Sequence, residues 1–504
     1  MNELKAGAVL NYVAIGLNVI IGLTYTPYML RMLGQSEYGL YSLAASIIAY
    51  LTVLDLGFGN AIVRYTAKFR AEKKKREQEE MFGMFLILYI CIGIVAIIAG
   101  SILALNVENL FSAKMTAQEI SRTRIILWLM TFNLAITFPM SIWGSIMTAY
   151  ERFIFQRIVS ITRSILNPLT MVVLLAYGYK AIAMVVVTTI FNIVTLVINY
   201  CYCKRKLHIK VRYGKFNFCF LKEVSVYSFW IFLNAIMDRI YWSTGQFVLG
   251  IFCGTVAIAV YAVAIQLQSF YMIFSTAISS VFLPRVTAMV STGSSDKEVS
   301  DLFIRTGRLQ YILMAFILSA FIVFGRSFIR LWAGKGYEDA YIISLLFFVP
   351  LTVPLIQNMG IVILQARNQM KFRSILYVII AVASLCLSIP LAKLYGGIGC
   401  AIGTTAALTL GQIIIMNIYY KRKQGIDIPL FWKEIIKMSI TPAIVTVVFI
   451  LTLNMLEVPL TSPFVFVVSA LIYSALYFLP FWFLGMNPSE RELFLSFVKK
   501  ARHR

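Results

Sequence analysis

Apolar runs follow one another along almost the whole chain, parted by short polar stretches, at 6–30, 38–62, 81–105, 122–148, 155–177, 181–202, 223–249, 256–288, 305–325, 341–365, 373–392, 396–420, 434–455 and 463–485. A helix needs about 20 mostly apolar residues to cover a hydrocarbon core of ~30 Å, and each run meets that length. The runs are too long and too evenly apolar for alternating barrel strands, and only helices or closed barrels satisfy their backbone groups in lipid. The pattern therefore predicts an all-α polytopic membrane protein with about 14 transmembrane helices.

Composition agrees: 60% of residues are hydrophobic and 13% charged. The formal net charge of +23 is a topological signal once placed on the spans. With the N-terminus cytoplasmic, 35 of the 45 Lys and Arg fall on the cytoplasmic side. Nine fall opposite: Arg31, Lys114, Arg122, Arg124, Lys180, Arg326, Arg330, Lys335 and Lys393. That bias is the positive-inside rule, and it puts both termini in the cytoplasm. Basic runs between helices, with no stacking surface of their own, meet lipid headgroups, which excludes nucleic acid as a partner and leaves membrane lipids. The first run lacks a small-x-small cleavage site, so it is expected to stay as a span.

Two long, highly charged insertions, 66–80 and 203–222, break the chain into lobes. Val248–Ala264 (VLGIFCGTVAIAVYAVA) weakly echoes the stretch from Thr26-Pro27 to Ala44, where a six-plus-six duplication would place it. The expected organisation is an N-terminal lobe at 1–203 (spans 1–6), a basic linker at 204–222 and a C-terminal lobe at 223–420 (spans 7–12). Spans 13 and 14 follow at 421–485, and a cytoplasmic amphipathic tail at 486–504. Two such lobes enclose a cavity in many transporters. In the tail, Ser489 and Glu492 read as a capping box ahead of Leu493, Phe494, Phe497 and Val498, with Lys499, Lys500, Arg502 and Arg504 behind them.

Ionisable groups inside spans cost at least ~2.5–3.5 kcal/mol, so those present mark candidate sites. Asp55 and Asp238 are the acids well inside spans; Arg239 is the deepest base, and Arg163 lies about two turns in. Asn234, Asp238, Tyr241, Trp242 and Gly245 form a polar-aromatic stripe on span 7. Gln156, Ser160, Arg163, Asn167 and Thr170 form another on span 5. Weaker stripes run through Asn11, Asn18 and Tyr25, and through Tyr261, Gln268, Ser275 and Ser279. Amides and rings suit sugar hydroxyls, and guanidinium forks suit pyrophosphate oxygens. The expected cavity set is Arg163, Arg239, Asn234, Asp238, Tyr241, Trp242, Asn167 and Gln268. Asp238 reads either as a coupling-ion or proton site or as half of a salt bridge, and the amides read equally as glue between helices. Gly57, Gly59 and Gly245 are candidate hinges, with Asp55 structural beside the first two.

Other chemistry finds little support. The chain has two histidines, His208 and His503, and no H-E-x-x-H, G-x-S-x-G or P-loop motif. Cys201, Cys203, His208 and Cys219 are soft ligand types, but the tight C-x-C spacing in a basic segment favours an ordinary helix end over zinc. Seven cysteines without framework spacing argue against structural disulfides. No metal, cofactor or enzymatic activity is expected.

The stretch LGQSEYGLYSLAASIIAYLTVLDLGFGNAIVRYTAKFRAE, Leu33 to Glu72, resembles the start of bacterial polysaccharide-biosynthesis flippases of the O-antigen type, within the multidrug/oligosaccharidyl-lipid/polysaccharide exporter superfamily. MDRIYWSTGQFVLG, Met237 to Gly250, resembles their seventh span. The resemblance implies a pair of lobes moving lipid-linked oligosaccharide across the bacterial cytoplasmic membrane, with a polysaccharide polymerase and glycosyltransferases as pathway partners. A drug/cation antiporter of the same superfamily and a lipid II flippase stand as alternatives, and a membrane glycosyltransferase or polymerase stands behind them. The deep charges lean basic, which favours an anionic cargo.

Overall fold

In the computed structural model, residues 3–214, 218–279, 294–367 and 369–492 are described, together with 286, 288, 289 and 495. The elements are α1 (Glu3–Leu51), a 3-10 turn (Thr52–Asp55), α2 (Phe58–Ala71), α3 (Lys75–Leu105), α4 (Val107–Phe111), α5 (Ala117–Ala149), α6 (Phe153–Ala176), α7 (Ala181–Arg205), α8 (Phe218–Phe252) and α9 (Thr255–Ser279). There follow α10 (Asp296–Trp332), α11 (Asp339–Ile356), α12 (Asn358–Ala366), α13 (Met370–Leu408), α14 (Met416–Lys423), α15 (Ile428–Met455) and α16 (Pro463–Pro480).

Among the described residues, 11 helical segments are long and apolar enough to cross a membrane. Two of them, Val9–Ala71 with 63 residues and Met370–Lys423 with 54, are too long for one crossing. Each turns back at a glycine: Gly34 (φ 78°, ψ 169°) breaks α1, and Gly396 (φ 58°, ψ −135°) breaks α13. Both conformations lie where a Cβ is disfavoured, so one residue reverses direction. The loops expected at 31–38 and 393–395 are thus single-residue breaks flanked by helix. Counting both broken segments twice and adding α8, which matches the seventh apolar run, gives the fourteen passes the hydropathy predicts. Apolar side chains face outward on these helices: Ile436, Ile440, Ile444, Val447 and Leu451 form an exposed stripe along α15. In water that face would be costly; against acyl chains it is solvated. The chain is an all-helical, multi-pass membrane protein.

Two compact units form. One comprises residues 1–262 with 389–400, the other 263–388 with 401–504. In the first, α3 packs on α5, α5 on α7, and α1 on α6 and α8. Phe82, Phe85, Tyr89, Phe138 and Trp143 fill its core. Gly93 allows the α3–α5 approach, since a Cβ there would sit 2.9 Å from the Ala135 carbonyl oxygen. In the second, α10 packs on α11, α15 and α16 around Phe324, Phe449, Tyr473 and Tyr477.

One expectation changes at the C-terminal end. After α16 a helical stretch begins at Pro488, so Asn487 is its cap and its N–H donates to the Glu490 carboxylate at 2.8 Å. Proline at the first helical position fixes φ and lacks the N–H that would need a partner, so the helix starts two residues before the expected Ser489–Glu492 box would be formed. The apolar face proposed for the tail, at 493, 494, 497 and 498, lies outside the described residues, as do 280–285 and 287 of the eighth span.

Candidate functional site

Within the first unit a cavity of about 420 Å³ opens among α1, α5, α6, α7 and α8. Its polar lining includes Tyr41, Asn133, Thr137, Arg163, Asn192 and Arg239. Asn133 and Thr137 are one turn apart on α5, and Thr188, Thr189 and Asn192 come from one stretch of α7. A hydrogen bond between Tyr50 on α1 and Thr244 helps hold α8, the helix that carries Arg239.

Asn192 organises the site. The Arg163 guanidinium Nη1 donates to its Oδ1 at 2.9 Å, while its Nδ2 donates to Asn133 Oδ1 at 2.8 Å and to Thr137 Oγ1 at 2.7 Å. The amide is therefore held in one orientation and fixes the position of the arginine head. Arg163 forms one hydrogen bond among the described residues, so most of its N–H donors remain for a ligand. Arg239 forms no hydrogen bond or ion pair among them, and no carboxylate lines the cavity. The arrangement is a half-buried cationic pocket whose remaining polar groups are hydroxyls and amides. It can grip an oxyanion and hydrogen-bond hydroxyls, and it offers no countercharge to a cation.

Of the eight residues singled out by sequence, Arg163 and Arg239 line this cavity. Asn234, Asp238, Tyr241 and Trp242 are on α8 but not among its lining residues, and the Tyr241 ring lies buried 5.0 Å from Trp242. Asn167 sits one turn beyond Arg163 on α6, with its Oδ1 shielded and lacking a hydrogen-bond partner. Gln268 is buried in the second unit. Gly57 lies at a break between the 3-10 turn and α2, where it and Leu56 are left-handed in succession (φ 73° and 53°). Asp55 closes that break: its carboxylate accepts the Tyr89 hydroxyl at 2.8 Å and the N–H groups of Gly57 and Gly59. Gly245 is inside unbroken α8, where a Cβ would lie 2.5 Å from the Tyr261 hydroxyl oxygen.

Asn133, Thr137 and Asn192 escaped the sequence reading, although the polar-stripe search that found Arg163 works equally on spans 4 and 6. Glu37 was also missed. It is 5% exposed, pairs with Arg122 and accepts the Ala181 N–H at 3.4 Å. Nearby, Glu119 accepts Ser36 at 2.6 Å and Thr255 at 2.9 Å, tying α5 to the α1 break and to the start of α9.

Comparison with known proteins bears on the family and the fold. A family model described as polysaccharide biosynthesis protein matches residues 4–290. A putative O-antigen transporter of Shigella flexneri is 19% identical over 423 residues, covering 82% of this chain and 96% of that one. A probable flippase of Haloferax volcanii, AglR, is 22% identical over 438 residues, covering 84% and 85%. Among solved structures, the lipid II flippase MurJ in an inward closed conformation superposes with a TM-score of 0.73 at 17% identity, over 93% of this chain and 99% of that one. An inward-facing multidrug transporter of the MATE family, in the MOP superfamily, gives 0.61 at 16% identity, over 81% and 99%.

Proposed function

The chain belongs to the polysaccharide biosynthesis protein family of the MOP superfamily, a family of transporters and not of enzymes, and from that premise we propose that it flips polyprenyl-pyrophosphate-linked oligosaccharide across the cytoplasmic membrane. The observation that carries the reading is the cavity with two guanidiniums and no carboxylate. Arg163 and Arg239 take the pyrophosphate, the amides and hydroxyls of α5 and α7 take sugar hydroxyls, and the polyprenyl tail stays in lipid. Asn167, Asn234 and Trp242 contact the glycan as it passes, and Tyr241 and Gln268, both buried in this conformation, do so once the lobes rearrange. Both termini are cytoplasmic. Two lobes, residues 1–203 and 223–420 joined by the basic segment 204–222, expose the site to each leaflet in turn, with bending at Gly57, Gly59 and Gly245. Asp238, next to Arg239, is the coupling carboxylate.

A cation antiporter would need a carboxylate where this cavity has none. A guanidinium meets phosphate oxygens two at a time, so Lys keeps the charge but loses the fork. Arg163→Ala with Arg239→Ala therefore abolishes appearance of lipid-linked glycan in the outer leaflet of proteoliposomes, and Lys at both positions leaves partial activity. Asp238→Asn removes the dependence of flipping on an imposed ion gradient. Wild-type flipping by the double alanine variant rejects this site, and equal transport of lipid II assigns the chain to the cell-wall precursor instead. Labelling of an engineered thiol at Ser294 from outside the cell rejects the topology.

A further inference from the structure

A second cationic cavity, of about 550 Å³, lies at the end of α10 in the second unit. Arg326, Ser327 and Arg330 reach it from α10, Lys335 and Glu338 from the following loop, and Thr461 from the α15–α16 connection. Arg326 and Arg330 are four residues apart and share a helix face. None of the three cations forms an ion pair among the described residues. Glu338 turns its carboxylate onto its own loop, accepting the Gly336 N–H at 2.7 Å.

Cations at a helix C-terminus ordinarily complement its exposed carbonyls. Here backbone closes that end: Ala333 N–H and Gly334 N–H both reach the Ile329 carbonyl, at 2.7 and 3.2 Å, with Gly334 at φ 101°. Neither Arg326 nor Arg330 donates a hydrogen bond to an end carbonyl among the described residues, so neither acts as a cap. Their location is also unusual, because three of the nine basic residues assigned to the face away from the cytoplasm line this one cavity. That face is otherwise poor in positive charge, and gathering three cations around the single carboxylate of Glu338 leaves an excess of positive charge that a bound anion would offset.

We propose that this cavity binds a phosphate-bearing group, with Arg326 and Arg330 as the forks, Lys335 as a point charge and the Ser327 and Thr461 hydroxyls as further donors. It is distinct from the Arg163–Arg239 cavity and depends on the proposed topology only for its side of the membrane. There it takes either the diphosphate of a cargo already carried across or the headgroup of an anionic lipid. The shared chemistry is a phosphate oxyanion in reach of two guanidiniums.

The test uses the full-length protein in neutral detergent at constant ionic strength, titrated with sodium pyrophosphate in an Arg163→Gln, Arg239→Gln background. Saturable binding should persist there and weaken at least ~10-fold when Arg326→Gln and Arg330→Gln are added. A parent that binds no pyrophosphate, or an unchanged affinity after the second pair, overturns the proposal. The added positions are exposed, and equal melting temperatures before titration confirm that folding is intact. Native mass spectrometry from phosphatidylcholine bilayers doped with phosphatidylglycerol separates the sources. Loss of retained phosphatidylglycerol in the Arg326→Gln, Arg330→Gln variant supports the site with a lipid headgroup as its ligand; unchanged retention with lost pyrophosphate binding supports it with the cargo diphosphate. Because the background lacks the Arg163–Arg239 cavity, failure here leaves the proposed flipping reading untouched, and failure of that reading leaves this binding measurable.

Discussion

Arg163 and Arg308 are both arginines withdrawn from water, and their surroundings differ in one respect that separates a charge left open to a cavity from one already neutralised. In the first unit Arg163 meets a neutral amide, and its charge is left uncompensated beside a cavity. In the second unit Arg308, 4% exposed on α10, is fully engaged. Its Nε and Nη2 grip both oxygens of Glu490 at 2.7 and 3.0 Å, Nη1 meets Glu434 at 2.5 Å, and Nη2 also reaches the Gly485 carbonyl at 3.3 Å. Glu490 is itself 3% exposed and caps the helical stretch after α16. A charge with each of its three nitrogens engaged and two carboxylates against it has little to offer a ligand; it fixes α10, α15 and the chain after α16 together. The lesson is that depth in the membrane identifies a candidate charge, and its partners decide what it does.

The comparison breaks most visibly at Arg308. Removing one member of a buried pair leaves the other uncompensated, so Arg308→Ala should cost about 3–5 kcal/mol, read as a large loss of detergent-solubilised melting temperature. Replacing Arg308, Glu434 and Glu490 together with Met, Leu and Leu should recover most of that loss. A triple variant as unstable as the single one would mean the cluster does more than neutralise itself.

Gly39→Ala asks how tightly the first unit is closed near the α1 break. A Cβ there would fall 2.1 Å from the Thr255 carbonyl oxygen, so the backbone must move, at a cost of about 1–3 kcal/mol in thermal unfolding. A melting curve matching wild type would show that α9 yields at that contact.

Asn192→Leu sharpens the other side of the comparison. It strips Arg163, Asn133 and Thr137 of their shared partner and should cost about 1–3 kcal/mol of stability. Flipping should fall well below wild type while Arg163 keeps its charge. Arg163→Ala should do the reverse, losing flipping at a cost of about 1 kcal/mol, because only Asn192 Oδ1 loses its donor, at the edge of a cavity, while the two hydrogen bonds donated by Asn192 Nδ2 remain. If Arg163→Ala unfolds the protein as Arg308→Ala does, the two arginines have the same role and the contrast fails.

The smallest effect belongs to the exposed Arg76–Glu80 pair, 2.9 Å apart four residues along α3. Arg76→Ala should change melting by no more than ~0.5 kcal/mol equivalent, and even that should vanish in high salt.

Some of the site was legible before the structure. Arg163 and Arg239 stand out because charge within an apolar run is rare and expensive, a property of single residues in context. Asn192, Asn133 and Thr137 do not stand out, since amides and hydroxyls are ordinary in membrane helices and acquire meaning only when α5 and α7 bring them within hydrogen-bonding distance. The same holds for Arg308: it sits near the end of an apolar run and reads as one more cytoplasmic cation, and its partner Glu490 is 182 residues away. The Ser489–Glu492 box shows a local failure, where a good capping pattern lost to a proline one residue earlier.

The number of crossings, their helical form, the charge asymmetry and the membrane as solvent are set by the sequence alone. Each depends on local composition over roughly twenty residues, the distance in which a helix spans the bilayer. Tertiary structure decides where the chain reverses, which polar faces meet, and which charges are neutralised. Those outcomes rest on contacts between residues far apart in the chain, such as Asn192 with Asn133 and Arg308 with Glu490, and on single glycines whose left-handed or extended backbone becomes evident only when the helices on either side are packed.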